Sequence, residues 1–153
     1  MMEKISLKLH EFLTLEAELF GVKNQQTGEV TSKGLLNEKL SLVSKFWLNE
    51  LGKKVASEKE SVEKLREELI KKLGTEEEGQ VFIKMYDEVK DEEGNIVSRS
   101  LTSNFIEFNQ EYEKLLSEEK ELEYRAFDLS ELANVETEGN LNVFFKLVKT
   151  PTE

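Results

Sequence analysis

The sequence contains no cysteine, one proline and one histidine in 153 residues. Without cysteine there can be no disulfide, no thiolate nucleophile and no cysteine-based metal site. The single histidine, His10, cannot supply a zinc cluster, and a Ser/His/Asp mechanism would rest on that one ring. Gly-x-Gly-x-x-Gly, Walker A and His-Glu-x-x-His motifs are also absent. We therefore predict a protein that is not an enzyme and has no metal and no cofactor.

Long apolar runs are missing as well. No run exceeds three residues, as at 46–48 and 143–145, whereas a membrane-spanning helix needs about 20. Residues 1–9 mix charged with apolar side chains and lack the continuous apolar stretch of a secretory signal. We expect a cytoplasmic protein without membrane contact.

Positive charge is scarce relative to negative charge. The chain has 21 Lys and Arg residues against 32 Asp and Glu, a formal net charge of −11. Binding to nucleic acid or anionic lipid requires concentrated basic side chains, so we expect no direct nucleic-acid partner. The expected partner is another protein or a second copy of the chain. The acidic residues Glu118, Glu119 and Glu121 lie in the most acidic third of the sequence.

Two carboxylate groupings resemble metal sites only superficially. The acidic stretch at 87–95 does not have the ligand spacing of an EF-hand loop. Glu107 and Glu111 are one helical turn apart, but no histidine accompanies them as in di-metal helical bundles. We interpret both groupings as solvent-exposed carboxylates.

The second quarter of the chain has the strongest structural signal. Apolar residues recur there at spacings of three and four from Leu36 to Leu69. This pattern predicts one long charged helix at residues 33–73, N-capped by Ser32. Gly52 marks the position at which the helix would kink or break. The apolar seam expected to be buried consists of Leu48, Leu51, Val55, Val62, Leu65 and Leu69.

After Gly74 the hydrophobic period changes from 3.6 to 2 residues. The alternation predicts a β-hairpin at residues 80–98, with its turn at 91–95. A helix at 104–117 follows, N-capped by Asn104 and antiparallel to the long helix.

The two ends of the chain are less regular. Apolar spacing predicts a helix at about residues 7–20, and a short strand is expected at 121–126. Segment 140–149 fits both a helix and a strand, and we favour the helix. Together these elements predict a single domain, residues 1–153, of the α+β class and mainly helical.

Three consecutive large apolar residues on the long helix bear on function. Phe46, Trp47 and Leu48 point about 100° apart, so one face cannot bury all three. Either the helix is covered on several sides, or one large ring remains for a partner or for self-association. Phe46 and Trp47, with Phe144 near the C-terminus, are therefore candidate interaction residues.

The order of several features carries a resemblance. An amphipathic start precedes a long charged helix that opens with Ser32-Lys33-Gly34-Leu35-Leu36. The acidic turn Asp91-Glu92-Glu93-Gly94-Asn95 and the sequence Phe-x-x-Glu-Tyr-x-x-Leu-Leu at 108–116 follow, then Glu118-Glu119 and a strand at Leu122. This order resembles an uncharacterised family of small acidic proteins encoded by tailed bacteriophages. The resemblance implies a phage origin, with residence in the host cytoplasm or incorporation in the virion.

These observations lead to two functional hypotheses. The first is a non-enzymatic phage protein that acts through protein–protein contacts, as a small virion or assembly component or as an accessory factor. The alternative is an acidic inhibitor that mimics DNA and occupies a groove of a host defence protein. In the alternative, Glu118, Glu119 and Glu121 would supply the negative charge.

Overall fold

The computed structural model describes residues 2–24, 26–135 and 141–149. The described part confirms the α+β class and contains one long helix among three α-helices. The strands pair antiparallel, two by two. The elements are β1 Met2–Lys8, α1 Leu9–Phe20, β2 Val22–Lys23, β3 Val30–Ser32, α2 Leu42–Leu73, β4 Thr75–Glu77, β5 Gln80–Phe82, β6 Tyr86–Lys90, β7 Ile96–Leu101, α3 Ser103–Leu116 and β8 Glu119–Arg125, with 3₁₀ helices at Leu35–Asn37, Leu129–Leu132 and Phe144–Leu147.

The chain forms two compact units. Unit 1 comprises Met1–Glu60 with Glu118–Glu153, and unit 2 comprises Ser61–Ser117. The boundary falls inside α2, a continuous helix without Pro or Gly at that point. For this reason the sequence, which indicated a single domain, carried no signal of the division.

Unit 1 contains the main hydrophobic core. Strand β1 pairs with β8 in an unbroken register from Met2 opposite Arg125 to Lys8 opposite Glu119. Side chains alternate along a strand, so one face of this pair is apolar and the other charged. The apolar face, α1, the first half of α2 and the C-terminal segment surround a common core. Its fully or nearly fully buried members include Leu7, Phe12, Leu15, Leu19, Leu48, Leu51, Val55, Leu122, Phe127, Phe144 and Leu147.

Helix α2 begins nine residues later than its predicted start at residue 33. The true N-cap is Ser41, whose Oγ accepts the Ser44 N–H at 3.1 Å, whereas Ser32 lies in β3. Gly34 prevents the earlier start, because its φ of 85° is incompatible with a helix. A Cβ at Gly34 would also lie 2.4 Å from the backbone N of Gly21.

Gly52 does not break α2, because the helix continues without interruption from Leu42 to Leu73. A Cβ added at Gly52 would lie 3.0 Å from the ring of Phe20. The glycine therefore provides room for a close approach of α1. The predicted seam is wrong at Leu65, which is 48% exposed, although Val62 is buried.

In unit 2, the last part of α2 and α3 run antiparallel, as predicted. Asn104 donates a side-chain hydrogen bond to the Leu73 carbonyl at 3.0 Å. Further along α3, Phe108 and Tyr112 stack on each other and lie beneath the Arg66 guanidinium. The N-cap of α3 is not Asn104 but Thr102, whose Oγ1 accepts the Phe105 N–H.

Unit 2 has two hairpins where the sequence predicted one at 80–98. The predicted turn at 91–95 joins β6 to β7, and the Asp91 carboxylate accepts the N–H groups of Glu93 and Asn95. Strand β5 instead pairs with β4. Their tight turn has positive φ at both Glu78 and Gly79, which fits a two-residue hairpin connection.

The remaining predicted elements have mixed outcomes. The strand expected at 121–126 is β8, Glu119–Arg125. The helix favoured at 140–149 is present only as the 3₁₀ helix Phe144–Leu147, and Val148 forms an isolated β-bridge with Phe127. Residue 140 lies outside the described residues. The segment is held by its backbone, since the buried Glu18 carboxylate accepts the N–H groups of Val143 and Phe144 at 3.2 and 3.1 Å.

Candidate interaction surface

The first turns of α2 leave three apolar side chains in solvent. Leu42 is 86% exposed, Val43 60% and Phe46 54%. Spacings of three and four residues place these side chains on one face of the helix. We call Leu42, Val43 and Phe46 the α2 apolar patch. Contiguous exposed apolar side chains are typical of protein-binding sites, whereas singly scattered ones are common on any surface.

The structure decides between the two alternatives for residues 46–48. Leu48 is fully buried, and Trp47 is partly buried and packs against the core of unit 1. Phe46 remains outside, with its ring edge-to-face against the Trp47 indole at a centroid distance of 5.1 Å. One large ring is therefore left exposed on this helix, and it belongs to Phe46.

A partly buried polar network holds the helix turn that carries the patch. Ser44 is 1% exposed, and its Oγ donates to Glu131 Oε1 at 2.8 Å. Arg125 Nη1 donates to the same oxygen at 2.7 Å, and the Asp128 N–H donates to Oε2 at 2.8 Å. Burial disfavours the Glu131 carboxylate, but these hydrogen bonds outweigh it and hold its pKa below the usual value.

The sequence around the patch is basic, although the chain as a whole is acidic. Residues 39–46 include Lys39 and Lys45 and no Asp or Glu. This local charge favours partners whose contacting surface has an acidic rim.

Phe144 is not available for binding, which corrects the prediction made for it. Its side chain is fully buried, with its ring 5.3 Å from that of Phe127. The Glu18 carboxylate that anchors this segment was missed in the sequence. A signal for it exists, because Glu18 lies three residues after the buried Leu15 and thus on the apolar face of α1.

The candidate acidic residues Glu118, Glu119 and Glu121 are exposed, but basic residues lie beside two of them. Glu119 and Glu121 lie on the solvent face of the β1–β8 pair, and Glu118 precedes the strand. Lys8 is directly opposite Glu119, and Lys4 Nζ lies 3.7 Å from Glu121 Oε1. Cross-strand pairing of opposite charges reduces the negative potential of this face.

Unit 1 also has an open groove of about 710 Å³ beside the C-terminal segment. Tyr124 lines it, and burial together with the nearby Glu3 carboxylate raises the pKa of the Tyr124 phenol. Asp128, Lys146 and Lys149 also contribute to its wall. Lys146 forms an ion pair with Glu11, which holds the pKa of Glu11 below its usual value.

Across residues 2–24, 26–135 and 141–149, no group of three His, Asp or Glu side chains is arranged to hold a metal ion. His10, the single histidine, is exposed. Within the same residues, no helix combines the length and the apolar character needed to cross a membrane.

No protein family, curated protein or solved structure matches the chain.

Proposed function

We propose that this protein acts through protein–protein contacts rather than catalysis, and that the α2 apolar patch is a principal contact surface. The observation that carries the proposal is the exposure of Leu42, Val43 and Phe46 together on one capped helical turn. Large apolar side chains are the usual anchors of protein interfaces, and a surrounding polar rim contributes less to affinity. Lys39 and Lys45 would form part of that rim.

A role as a small virion or assembly component, or as an accessory factor of a phage, follows from the sequence resemblance to tailed-phage proteins. The proposed location is accordingly the host cytoplasm or the assembled particle. Rigid presentation of an apolar patch suits such a role, since little conformational entropy is lost when a preformed surface binds.

The alternative, an acidic DNA mimic, has weaker support. It requires many like charges without nearby counter-charges. Lys4 and Lys8 lie across from the acidic residues of β8, so the face that includes Glu119 and Glu121 is not a continuous acidic surface.

The experiment is affinity capture from lysates of phage-infected bacteria, with wild-type protein and two matched variants. Phe46→Ser removes the centre of the patch. Phe145→Ser is the control, because Phe145 has a similar exposure of 51% but lies in the C-terminal 3₁₀ helix. We expect a partner that wild type and Phe145→Ser retain and that Phe46→Ser loses. The purified partner should also bind the purified wild-type protein.

Salt distinguishes the two functional hypotheses in the same experiment. Apolar anchoring should survive at 1 M salt, where the Debye length is about 3 Å. A DNA mimic should lose its target at high salt and on reversal of Glu118, Glu119 and Glu121 to lysine. The proposal would be contradicted if every partner were lost at 1 M salt and in the triple lysine variant, while Phe46→Ser still captured the same partners as wild type.

A further inference from the structure

Two lysines beside the α2 apolar patch carry charge that no carboxylate of the described residues neutralises. Lys39 precedes α2 and is exposed, and Lys45 follows Leu42 by three residues, which makes the two neighbours on the helix surface. Among the residues that the structure describes, neither lysine forms an ion pair. Glu38, next to Lys39 in sequence, is buried and pairs with Lys33.

The other carboxylates close to the start of α2 also have basic partners. Glu50 is the first acidic residue of the helix, and its Oε1 accepts from Lys53 Nζ at 3.1 Å. Glu131 contacts the helix at Ser44, but the same carboxylate oxygen is bound by Arg125. The patch therefore has a positive rim in a protein whose net charge is −11.

Charge argues against a second copy of the patch as its occupant. A two-fold contact places the same surface of both copies face to face. Such a contact would bring Lys39 and Lys45 of one copy against the same lysines of the other, and like charges across an interface are unfavourable. A surface with carboxylates around apolar side chains would be attracted instead.

The backbone at the patch favours a helix as the partner element. The Lys45 N–H donates to the Ser41 carbonyl at 2.9 Å, so this turn already uses its backbone groups within the helix. A partner cannot bind here as an added strand and has to make contact through side chains. Side-chain ridges of one helix fit the grooves of another, which gives close packing along an exposed helix face.

We propose that the α2 apolar patch binds an acidic amphipathic helix of another protein, with large apolar residues on one face and glutamate or aspartate beside them. This inference rests on the proposed function, because it names the kind of partner for the same surface. The apolar face of the partner helix covers Leu42, Val43 and Phe46, and its carboxylates pair with Lys39 and Lys45. The apolar contacts supply most of the affinity, and the charges orient the helix and exclude basic competitors.

The test measures binding of synthetic helical peptides to the full-length protein by fluorescence anisotropy. The probe is a labelled peptide with leucine at helical spacings of three and four and glutamate on both sides of that face. One control peptide has lysine in place of glutamate, and the other has the same composition with the leucines distributed around the helix. We expect only the acidic amphipathic peptide to bind, and 1 M salt to weaken its binding about ten-fold without abolishing it.

Variants of the protein locate the site. Lys39→Glu with Lys45→Glu should weaken binding about ten-fold and remove most of its salt dependence. The matched control is Lys23→Glu with Lys149→Glu, which changes the net charge by the same amount at two exposed lysines outside α2. This control should bind nearly as well as wild type. Phe46→Ser should weaken binding about 30-fold, as expected for loss of an interface anchor.

Several outcomes would overturn the proposal. They are absence of binding by the acidic amphipathic peptide, equal binding of either control peptide, and equal weakening by the two double-lysine variants, which would assign the effect to net charge. Failure of the proposed function has a different result, namely capture from lysate that does not depend on Phe46. If Phe46→Ser loses its lysate partner while Lys39→Glu with Lys45→Glu retains it fully, the proposed function stands and the acidic helix is wrong.

Discussion

Two neighbouring residues of α2 provide a direct test of the α2 apolar patch. Leu48 is fully buried, so Leu48→Ala should leave a cavity and cost about 3 kcal/mol of unfolding free energy, within the range of 2–5 for such changes. Phe46 is 54% exposed. Its truncation forfeits about half of the 1.5–3 kcal/mol that full burial of a large apolar side chain contributes. Alanine returns about 0.5 kcal/mol through its higher helix propensity, so we expect a net cost of about 0.5 kcal/mol for Phe46→Ala.

Urea titration followed by tryptophan fluorescence measures the loss of unfolding free energy in both variants. Trp47 is the single tryptophan and packs against the core of unit 1, so its emission reports the unfolding of that unit. Phe46→Ala should change the emission of the folded state, because the two rings are in contact, while the midpoint moves little. Equal shifts of the midpoint for the two variants would refute the description of Phe46 as a surface residue.

Three further predictions concern the Glu18 carboxylate, the β4–β5 turn and the Glu131 ion pair. Glu18→Gln should cost about 2 kcal/mol, since it weakens charge-assisted hydrogen bonds to two buried amides, and hydrogen exchange should accelerate at those amides but not in the Glu16→Gln control. Glu78→Gly should stabilise unit 2 by about 1 kcal/mol, measured by thermal denaturation, because Glu78 has a φ of 53° that glycine adopts without strain. The pKa of Glu131 is lowered in the folded state, so its stabilisation is complete above pH 4.5 and is lost as the pH falls through the folded pKa; Arg125→Met should reduce this acid sensitivity in denaturation titrations, and an unchanged acid transition would contradict the role of the ion pair.

Long periodic segments were predictable from the sequence because local signals agreed there. Helix α3 and the end of α2 were placed within a residue, and the turn at 91–95 was identified from its Asp, Gly and Asn residues. In the turn, the Asp91 side chain forms the expected local hydrogen bonds to backbone amides. Such features depend on neighbours in sequence, which the sequence displays directly.

Errors arose where distant parts of the chain decide the local conformation. Leu36 and Leu40 continue the helical spacing of α2, but they pack against the core of unit 1 from outside that helix. Gly34 has to approach the end of α1 closely, and no local pattern reveals that contact. Likewise, apolar content alone could not show that Phe144 enters the core, whereas Phe145 next to it is half exposed.

Helix geometry alone limited the candidate interaction residues on α2 to three neighbours but did not identify the exposed one. The 100° separation of successive helical residues meant that one face could not bury Phe46, Trp47 and Leu48 together, so either several sides of the helix had to be covered or one ring had to be exposed. Which one depends on the side from which the core of unit 1 approaches α2, and this is set by residues far away in sequence. Exposure of the β6–β7 hairpin was unpredictable for the same reason, because alternating apolar residues normally indicate a covered face.

The α2 apolar patch and the β6–β7 hairpin differ in how firmly the chain holds them. The α2 apolar patch lies on a capped helix whose next turns bury Leu48 and Leu51, so its side chains are positioned before a partner arrives. Such preorganisation lowers the entropic cost of binding. The β6–β7 hairpin has no buried side chain of its own, and segments with few buried apolar contacts open at low free energy. Amide hydrogen exchange should therefore be fast in β6 and β7, whereas exchange at the start of α2 should change little when its partner binds.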